Sequence, residues 1–413
     1  MIKVINIAFS DSRGGAAIAC KRAHESLSGT AESYVLTPDK KLVNLYVRFR
    51  GEEYGFLHFT LMLIEHFFVK LMYTQPENKV SLNILGLFSS KNILKYDSDV
   101  VHFHWINNCT ISLREMSKLR KPFIVTMHDE WWYLNGEHYR DIKKKRKCDL
   151  KKVFAFPMRW LYEMYRKRYI SKIIDKGVFV APSLWVKQEA EKFNPKFSGN
   201  ILVIPNPIDV KIFKQRERCL SLKMFDIPKN KKIILFGAQK GGSDFIKGRD
   251  IAFNAIDEFS KRHDGGEYAV LIFGGRAKKR YFRNKVEVIE VGFVCAAEDM
   301  SFLYSCSDVT LVTSRLEAFG QVALESIACH TPVIGFRNTG VEDIIEHGKT
   351  GFLCSPFLYT DVAYYLELLF SLNEIEKTKM GDRCRHTAEV KFSQKIVSSK
   401  LNELYQNTLK GAE

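Results

Sequence analysis

Apolar residues along this chain gather in short unbroken runs. In the first half these are IKVINIAF, DVVHFHW, PFIVTMHD, GVFVAPS and ILVIPNP; in the second they are KKIILFGA, YAVLIFGG, VEVIEVGFV, DVTLVTS and TPVIGF. Runs that are β-branched and apolar almost throughout, instead of alternating with polar residues, predict parallel strands covered on both faces. Longer segments with helical spacing separate them, and strand–helix alternation predicts a doubly wound α/β fold. The pattern then restarts. VIPNPIDVKIFKQ and the polar stretch to Lys232 read as a linker, followed by a new first strand. Two Rossmann-like domains are expected, residues 1–205 and 206–392, with a closing helix in 393–413 (SQKIVSSKLNELYQNTL). Open parallel sheets bind ligands beyond the carboxyl ends of their strands. Two such domains facing each other make a cleft, and the chemistry is sought there.

Length agrees with this division, since 413 residues exceed one ordinary core. The opening MIKVINIAFSDSRGGAA has no basic segment followed by an apolar one and reads as a first strand, so no signal peptide is expected. No uninterrupted apolar run reaches the roughly 18 residues needed to span a bilayer. The nearest, from Phe56 to Tyr73, is broken by His58, Glu65, His66 and Lys70. Nine scattered cysteines without a CxxC pair favour a reduced cytosolic chain and argue against structural zinc. Net charge is +16 and uneven: residues 1–200 carry 33 Lys and Arg against 20 Asp and Glu, the remainder 30 against 27. That asymmetry points to an anionic partner for the first half. At this point phospholipid, nucleic acid and phosphorylated substrate all remain open.

Several motifs can carry chemistry at strand ends. Gly14 and Gly15, in SDSRGGAAIAC, follow the first strand and open a helix, where backbone N–H groups can approach a phosphate. The segment is neither GxGxxG nor a Walker A loop, and a plain tight turn explains it as well. His128 and Asp129, in TMHDEWWYLNGEHY, end another strand; Asp129 reads equally as a cap. His102 and His104 share one face of a strand and would suit a metal, but no third ligand completes a site, so a polar wall or structural role is preferred. Lys247–Gly248, after the loop in LFGAQKGGSDFIKG, can offer a point charge to a phosphate. The densest stretch is SRLEAFGQVALESIAC. Gly320 lets a ligand come close, and the N–H groups of Gln321 and Val322 can face an anion. Glu317 in the loop and Glu325 on the helix flank that cradle. A sugar and a ribose joined by a diphosphate present hydroxyl, phosphate and hydroxyl in that order. Two-carboxylate glycoside hydrolysis would instead need both acids around one bond.

EAFGQVALE followed by ACHTPVIGFRNTGVEDIIEHGKTGFL resembles the donor-binding signature of the retaining family-4 glycosyltransferases of GT-B fold. VIPNPID resembles that family's interdomain segment, and VEVIEVGFV the strand and turn whose backbone reads the nucleotide base. Gly14–Gly15, TMHD and Lys247–Gly248 fall in the family's order. HDEWWYLNGEHY is similar to the branch that builds bacterial surface polysaccharides, such as O-antigen, capsule or exopolysaccharide. The resemblance implies two Rossmann-like domains facing across a cleft, the first for acceptor and the second for nucleotide-sugar, with the last helix crossing back to the first. It implies that Glu317, with the backbone of Phe319 and Gly320, contacts the transferred sugar, with Gln321 and Val322 at the phosphates. Glu325 would hold the ribose, Phe293 would lie in the turn at the base, and Lys247 and Gly15 would neutralise the diphosphate. His128 would sit under the sugar near the anomeric carbon. No cofactor or metal is implied, because basic residues and helix ends do that work.

One departure stands out. The family usually places an arginine before the lysine, where this chain has Ala238, Gln239 and Lys240; lysine is not equivalent at a bidentate phosphate contact. The first-half charge also gains a candidate partner. KKKRKCDLKKVFAFPMRWLYEMYRKRYISK mixes cations with aromatics as a membrane-surface helix does. The branch's usual acceptor is a saccharide on a polyprenyl diphosphate at the inner face of the plasma membrane. Competing readings are a sugar-nucleotide epimerase or phosphorylase-like enzyme of the same fold, a basic nucleic-acid-binding protein and a nicotinamide oxidoreductase. No recognition-helix or RNA-binding motif supports nucleic acid as a partner, and the missing dinucleotide fingerprint disfavours the last.

Overall fold

The computed structural model describes residues 1–11, 14–38, 53–73, 79–142, 150–237 and 245–411. Contacts divide the chain into two units, Met1–Pro205 with Val397–Glu413, and Asn206–Ile396. The basic run 143–147 lies outside the described residues.

In the first unit six strands form one sheet: β1 (Lys3–Ile7), β2 (Glu32–Leu36), β3 (Val100–Phe103), β4 (Phe123–Thr126), β5 (Val178–Ala181) and β6 (Ile201–Val203). Their order is β2-β1-β3-β4-β5-β6, every pair parallel. The chain steps outward from β1 to β2 and then crosses to β3 on the other side, which makes β1/β3 the switch point. One face of this sheet is covered by the helix Gln394–Lys410. Its Val397, Leu401, Leu404 and Tyr405 bury against Val4, Val100, Ile124 and Val180. Each such side chain contributes about 1.5–3 kcal/mol of transfer free energy, which ties the end of the chain to the unit where the chain began.

The second unit holds β7 (Lys232–Gly237), β8 (Tyr268–Phe273), β9 (Lys279–Arg283), β10 (Val286–Gly292), β11 (Val309–Val312), β12 (Val333–Phe336) and β13 (Gly351–Cys354). Their order is β13-β12-β11-β7-β8-β10-β9, parallel except for β9 on β10. The switch point lies between β7 and β11. Each of the ten apolar runs became a strand. The three strands without such a run, β2, β9 and β13, are all sheet edges. β9, KRYFR, is almost fully exposed and β2, ESYVL, is part-buried along most of its length, so neither need be apolar throughout; β13, GFLC, is apolar and buried.

One helix buries polar residues beside apolar ones. Phe56–Tyr73, read from sequence as too interrupted to cross a bilayer, folds as the helix Glu53–Met72, long and apolar enough by length and composition to do so. The interrupting residues do not all face outward. Glu65 turns into the unit and accepts from the backbone N–H groups of Leu82 at 3.0 Å and Asn83 at 3.1 Å. His58 meets the carbonyl of Asn108 at 2.7 Å. Phe56, Phe59, Leu63 and Phe67 point outward instead, beside exposed His66 and Lys70. The neighbouring helix Leu150–Ile174 extends this apolar face with Trp160 and Met164.

Candidate functional site

In the second unit the residues singled out from sequence converge at the switch point. β7 leads, through residues outside the description that include Ala238–Lys240, to a single turn at Phe245–Lys247. β11 leads to the loop carrying Glu317. Gly248, left-handed at φ 67°, joins the two: a Cβ there would lie 1.9 Å from the carbonyl oxygen of Thr313, so only glycine fits. Thr313 Oγ1 donates to the Gly248 carbonyl at 2.9 Å, and the Arg315 N–H donates to the Ile246 carbonyl at 2.7 Å. The Arg315 guanidinium bonds Phe245 O at 2.7 Å, grips Asp250 through two hydrogen bonds and lies 3.8 Å over the Phe245 ring. Stapled in this way, Lys247 Nζ donates to Glu317 Oε2 at 2.7 Å, with Ser314 Oγ on the same oxygen at 3.0 Å. Both side chains stay part-exposed, so both remain open to a ligand.

The Glu317 carbonyl accepts from the Gly340 N–H at 2.7 Å, which closes the loop from behind. Gly320, left-handed at φ 103°, then opens the helix Gln321–Ala328 without a capping side chain and without an acid in the first turn. A helix start of this kind, with its positive dipole end uncompensated by an acid, favours an anion beside it. Glu325 lies one turn further, largely buried, and accepts from the hydroxyl of fully buried Tyr304 at 2.8 Å. The Phe319 ring is core, edge-on to Phe392 at 6.0 Å, so only its backbone borders the site. Phe293 follows β10 and is 66 % exposed. It stands at the same sheet edge two strands from β7, about 10 Å across.

The first unit carries the remaining residues at the carboxyl ends of β1, β3 and β4. Gly14, at φ 91°, opens the helix Gly15–Ser26, again without a side-chain cap. His104 follows β3 and His128 follows β4. The His102, His104 and His128 rings form a stack, with centroids 4.3 Å and 5.3 Å apart. His102 meets Tyr405 Oη at 2.9 Å and Thr126 Oγ1 at 2.8 Å, so the chain's last helix buttresses the stack. Burial pushes the His128 imidazolium down to about 4, partly opposed by Asp129, and that of His102 to about 3. Burial, then the neighbouring histidines, hold His104 well below the usual range. All three are neutral near pH 7.

Asp129 is a structural cap. It accepts from Trp131 N at 3.1 Å, Trp105 Nε1 at 2.8 Å and His138 Nδ1 at 2.6 Å. Tyr304, Arg315 and the partners of the histidine stack were invisible from sequence. Only Arg315 carried a signal, as a charge inside a loop already suspected. Apart from these sites, Lys91, Arg114, Lys118, Arg120, Lys172 and Lys176 line a hollow of about 880 Å³ in the first unit, against one acid, Asp175.

Family models match both units: one described as Glycosyltransferase Family 4 over residues 48–212, the other as Glycosyl transferases group 1 over 223–389. The chain belongs to glycosyltransferase family 4. This glycosyltransferase is 26 % identical over 220 residues to N-acetyl-alpha-D-glucosaminyl L-malate synthase of Bacillus anthracis, a match covering 52 % of this chain and 56 % of that one. The chain thus spans little more than half the length of that relative. Its fold is that of sucrose-phosphate synthase from Thermosynechococcus elongatus, with a TM-score of 0.69, 16 % identity and 100 % of both chains covered. It is likewise that of Anabaena HepE solved with UDP and glucose, with a TM-score of 0.66, 14 % identity and coverage of 98 % of this chain and 100 % of that one. The fold is GT-B.

Proposed function

We propose that this glycosyltransferase moves a sugar, with retention, from a nucleotide-diphosphate sugar to a saccharide acceptor, lipid-linked, in the synthesis of a bacterial surface polysaccharide. The observation that carries the reading is the Lys247–Glu317 pair set beside an uncapped helix start at a switch point. The bond from the anomeric carbon to the diphosphate breaks and one to an acceptor oxygen forms, with loss of the acceptor's proton. Negative charge then gathers on the diphosphate, where Lys247 and the helix amides stabilise it. Glu317 faces the sugar, where positive charge develops. Glu325, oriented by Tyr304, accepts from ribose hydroxyls, and Phe293 borders the base. No metal or other cofactor forms part of this reading. UDP and glucose in the Anabaena protein support a nucleotide-sugar as donor.

A thermal-shift screen against UDP-, GDP-, ADP- and CMP-sugars tests the donor. One nucleotide family should raise Tm, and Glu325→Ala should abolish that shift. A Glu325→Ala protein stabilised as fully as the parent would remove Glu325 from the donor site.

The same reading places the protein peripherally at the cytoplasmic face of the plasma membrane. The outward apolar face of Glu53–Met72, bordered by Lys70 and by cations of the neighbouring helix, suits the interface of an anionic bilayer. A Phe59→Ser/Phe67→Ser double variant should bind anionic vesicles at least about tenfold more weakly, since burying each ring is worth about 1.5–3 kcal/mol. Equal partitioning of parent and variant in a flotation assay would reject this face as the membrane contact.

A further inference from the structure

The stacked histidines are joined by hydrogen bonds whose directions are fixed by a backbone atom. The side-chain amide of Asn6, on β1, lies 3.2 Å from the carbonyl oxygen of Tyr34 and 2.9 Å from Ser33 Oγ. A backbone carbonyl can only accept, so the NH2 end of the amide must face β2. Ser33 Oγ can take that hydrogen and pass its own to His24 Nδ1, 2.9 Å away. The Asn6 oxygen then faces the other way, 3.2 Å from His104 Nε2. An amide oxygen can only accept, so His104 Nε2 carries a hydrogen.

His104 is buried and neutral, so with Nε2 protonated its Nδ1 is bare and must accept. That nitrogen lies 3.0 Å from His128 Nε2. His128 must therefore donate from Nε2. Being neutral as well, it keeps no hydrogen on Nδ1, and among the described residues no hydrogen bond engages that atom. His102, stacked on His104 at an interplanar angle of 29° and held at both nitrogens, keeps the middle ring from tipping.

We propose that His104, aligned by Asn6, is a positioning residue for His128: it fixes that ring as the Nε2–H tautomer and presents a bare Nδ1 acceptor at the carboxyl end of the first unit's sheet. A ligand hydroxyl, such as one on the transferred sugar, is the group that Nδ1 would accept from. A second acceptor, such as a carbonyl or phosphate oxygen, would gain nothing from this preset orientation. The inference rests on the reading that His128 meets the sugar. It adds why a half-buried, uncharged imidazole stands there, and why His102 on β3 is followed by His104 just past the strand's end.

The test is nitrogen-detected NMR of the wild-type protein labelled at histidine, together with turnover of His104→Leu, His104→Gln and His128→Ala. In the wild type His128 should show a protonated, pyrrole-type Nε2 and a bare, pyridine-type Nδ1. His104→Leu removes the acceptor, so the His128 signals should move toward an average of the two tautomers, and kcat should fall about 10- to 100-fold with KM little changed. Glutamine can accept from His128 and donate to Asn6, and His104→Gln should recover most of both. A wild-type His128 protonated at Nδ1 overturns the proposal without requiring any variant to fold. So does a folded His104→Leu protein that keeps both a single tautomer and full turnover. Full turnover in His128→Ala would instead sink the sugar-contact reading, and the positioning claim for the reaction with it, while leaving the tautomer result as a separate fact.

Discussion

Replacing Glu317 by glutamine is expected to lower kcat by about two to three orders of magnitude, with a melting temperature close to that of the parent. The reason is local. Glu317 carries its charge at the place where the loop after β11 meets Lys247, and Ser314 fixes the oxygen that Lys247 holds. Glutamine keeps the shape and the Ser314 contact, but it removes the negative charge that the proposed reading sets before the sugar and leaves Lys247 without its counter-charge. One preorganised charge or donor at a reacting centre is worth about 10²–10³-fold. Glu325→Ala should behave differently. On the proposed reading its carboxylate, held by Tyr304, contacts a part of the donor that does not change during the reaction, so KM should rise about 10- to 100-fold and kcat should move less. Steady-state kinetics on the two variants separate these roles. Near-normal turnover of the Glu317→Gln protein would remove Glu317 from the chemistry, and a kcat effect confined to Glu325→Ala would exchange the two assignments.

Acid should weaken the first unit more than the second, where burial lowers His330 and His347 alone among that unit's described histidines. His102, His104 and His128 all have their imidazolium forms disfavoured by burial, the first to about 3 and the last to about 4. An unfolded histidine binds its proton near pH 6.5. Between pH 6.5 and about 4 the unfolded chain therefore holds more protons than the folded one, and stability falls with falling pH. The contribution is fully present above pH 6.5. Each histidine costs about 1.4 kcal/mol per pH unit below that, so the stack costs up to about 4 kcal/mol per unit. Glu65 and Glu130 act in the opposite sense, because burial raises both and the folded state takes up their protons first. Their window begins near pH 4.5, shifted upward, so it offsets the acid end of the loss. All five tryptophans lie between Trp105 and Trp185, so their fluorescence reports on the first unit alone. The urea midpoint followed by that signal should drop clearly from pH 7.5 to pH 5.5. A midpoint that does not move across this range would mean the stack is protonated in the folded state or open to water.

The structure also changes the meaning of particular motifs. HDEWWYLNGEHY resembled a functional signature, yet most of it builds support. Asp129 caps a turn and ties down Trp105 and His138, and Trp131 donates to the Ser81 carbonyl at 2.8 Å. Of that segment, His128 alone joins the histidine stack at the carboxyl end of the first unit's sheet. The pair at His102 and His104 shows the opposite case. Sequence offered a wall or a structural role, and the structure supplies a stack with defined hydrogen-bond directions.

What the sequence determined by itself was the part governed by local periodicity. Buried parallel strands must be apolar on both faces, so each announced itself as a run, and the restart of that pattern near Lys232 marked the second sheet. The glycines at 248 and 320 and the acids at 317 and 325 were legible because backbone approach and helix starts depend on neighbours in the chain. The edge strands β2 and β9 escaped because much of each needs no cover. Which face of Glu53–Met72 turns outward escaped too, because a helix buries a carboxylate such as Glu65 only when distant backbone groups, here at Leu82 and Asn83, wait to bond it. Tertiary structure alone decided that Lys247 lies against Glu317, that Tyr304 orients Glu325, and that Tyr405 closes a histidine stack begun on β3. Those pairs are 70, 21 and 303 residues apart. No local pattern encodes them, because the hydrogen bonds that fix them form only once the strands have set their order.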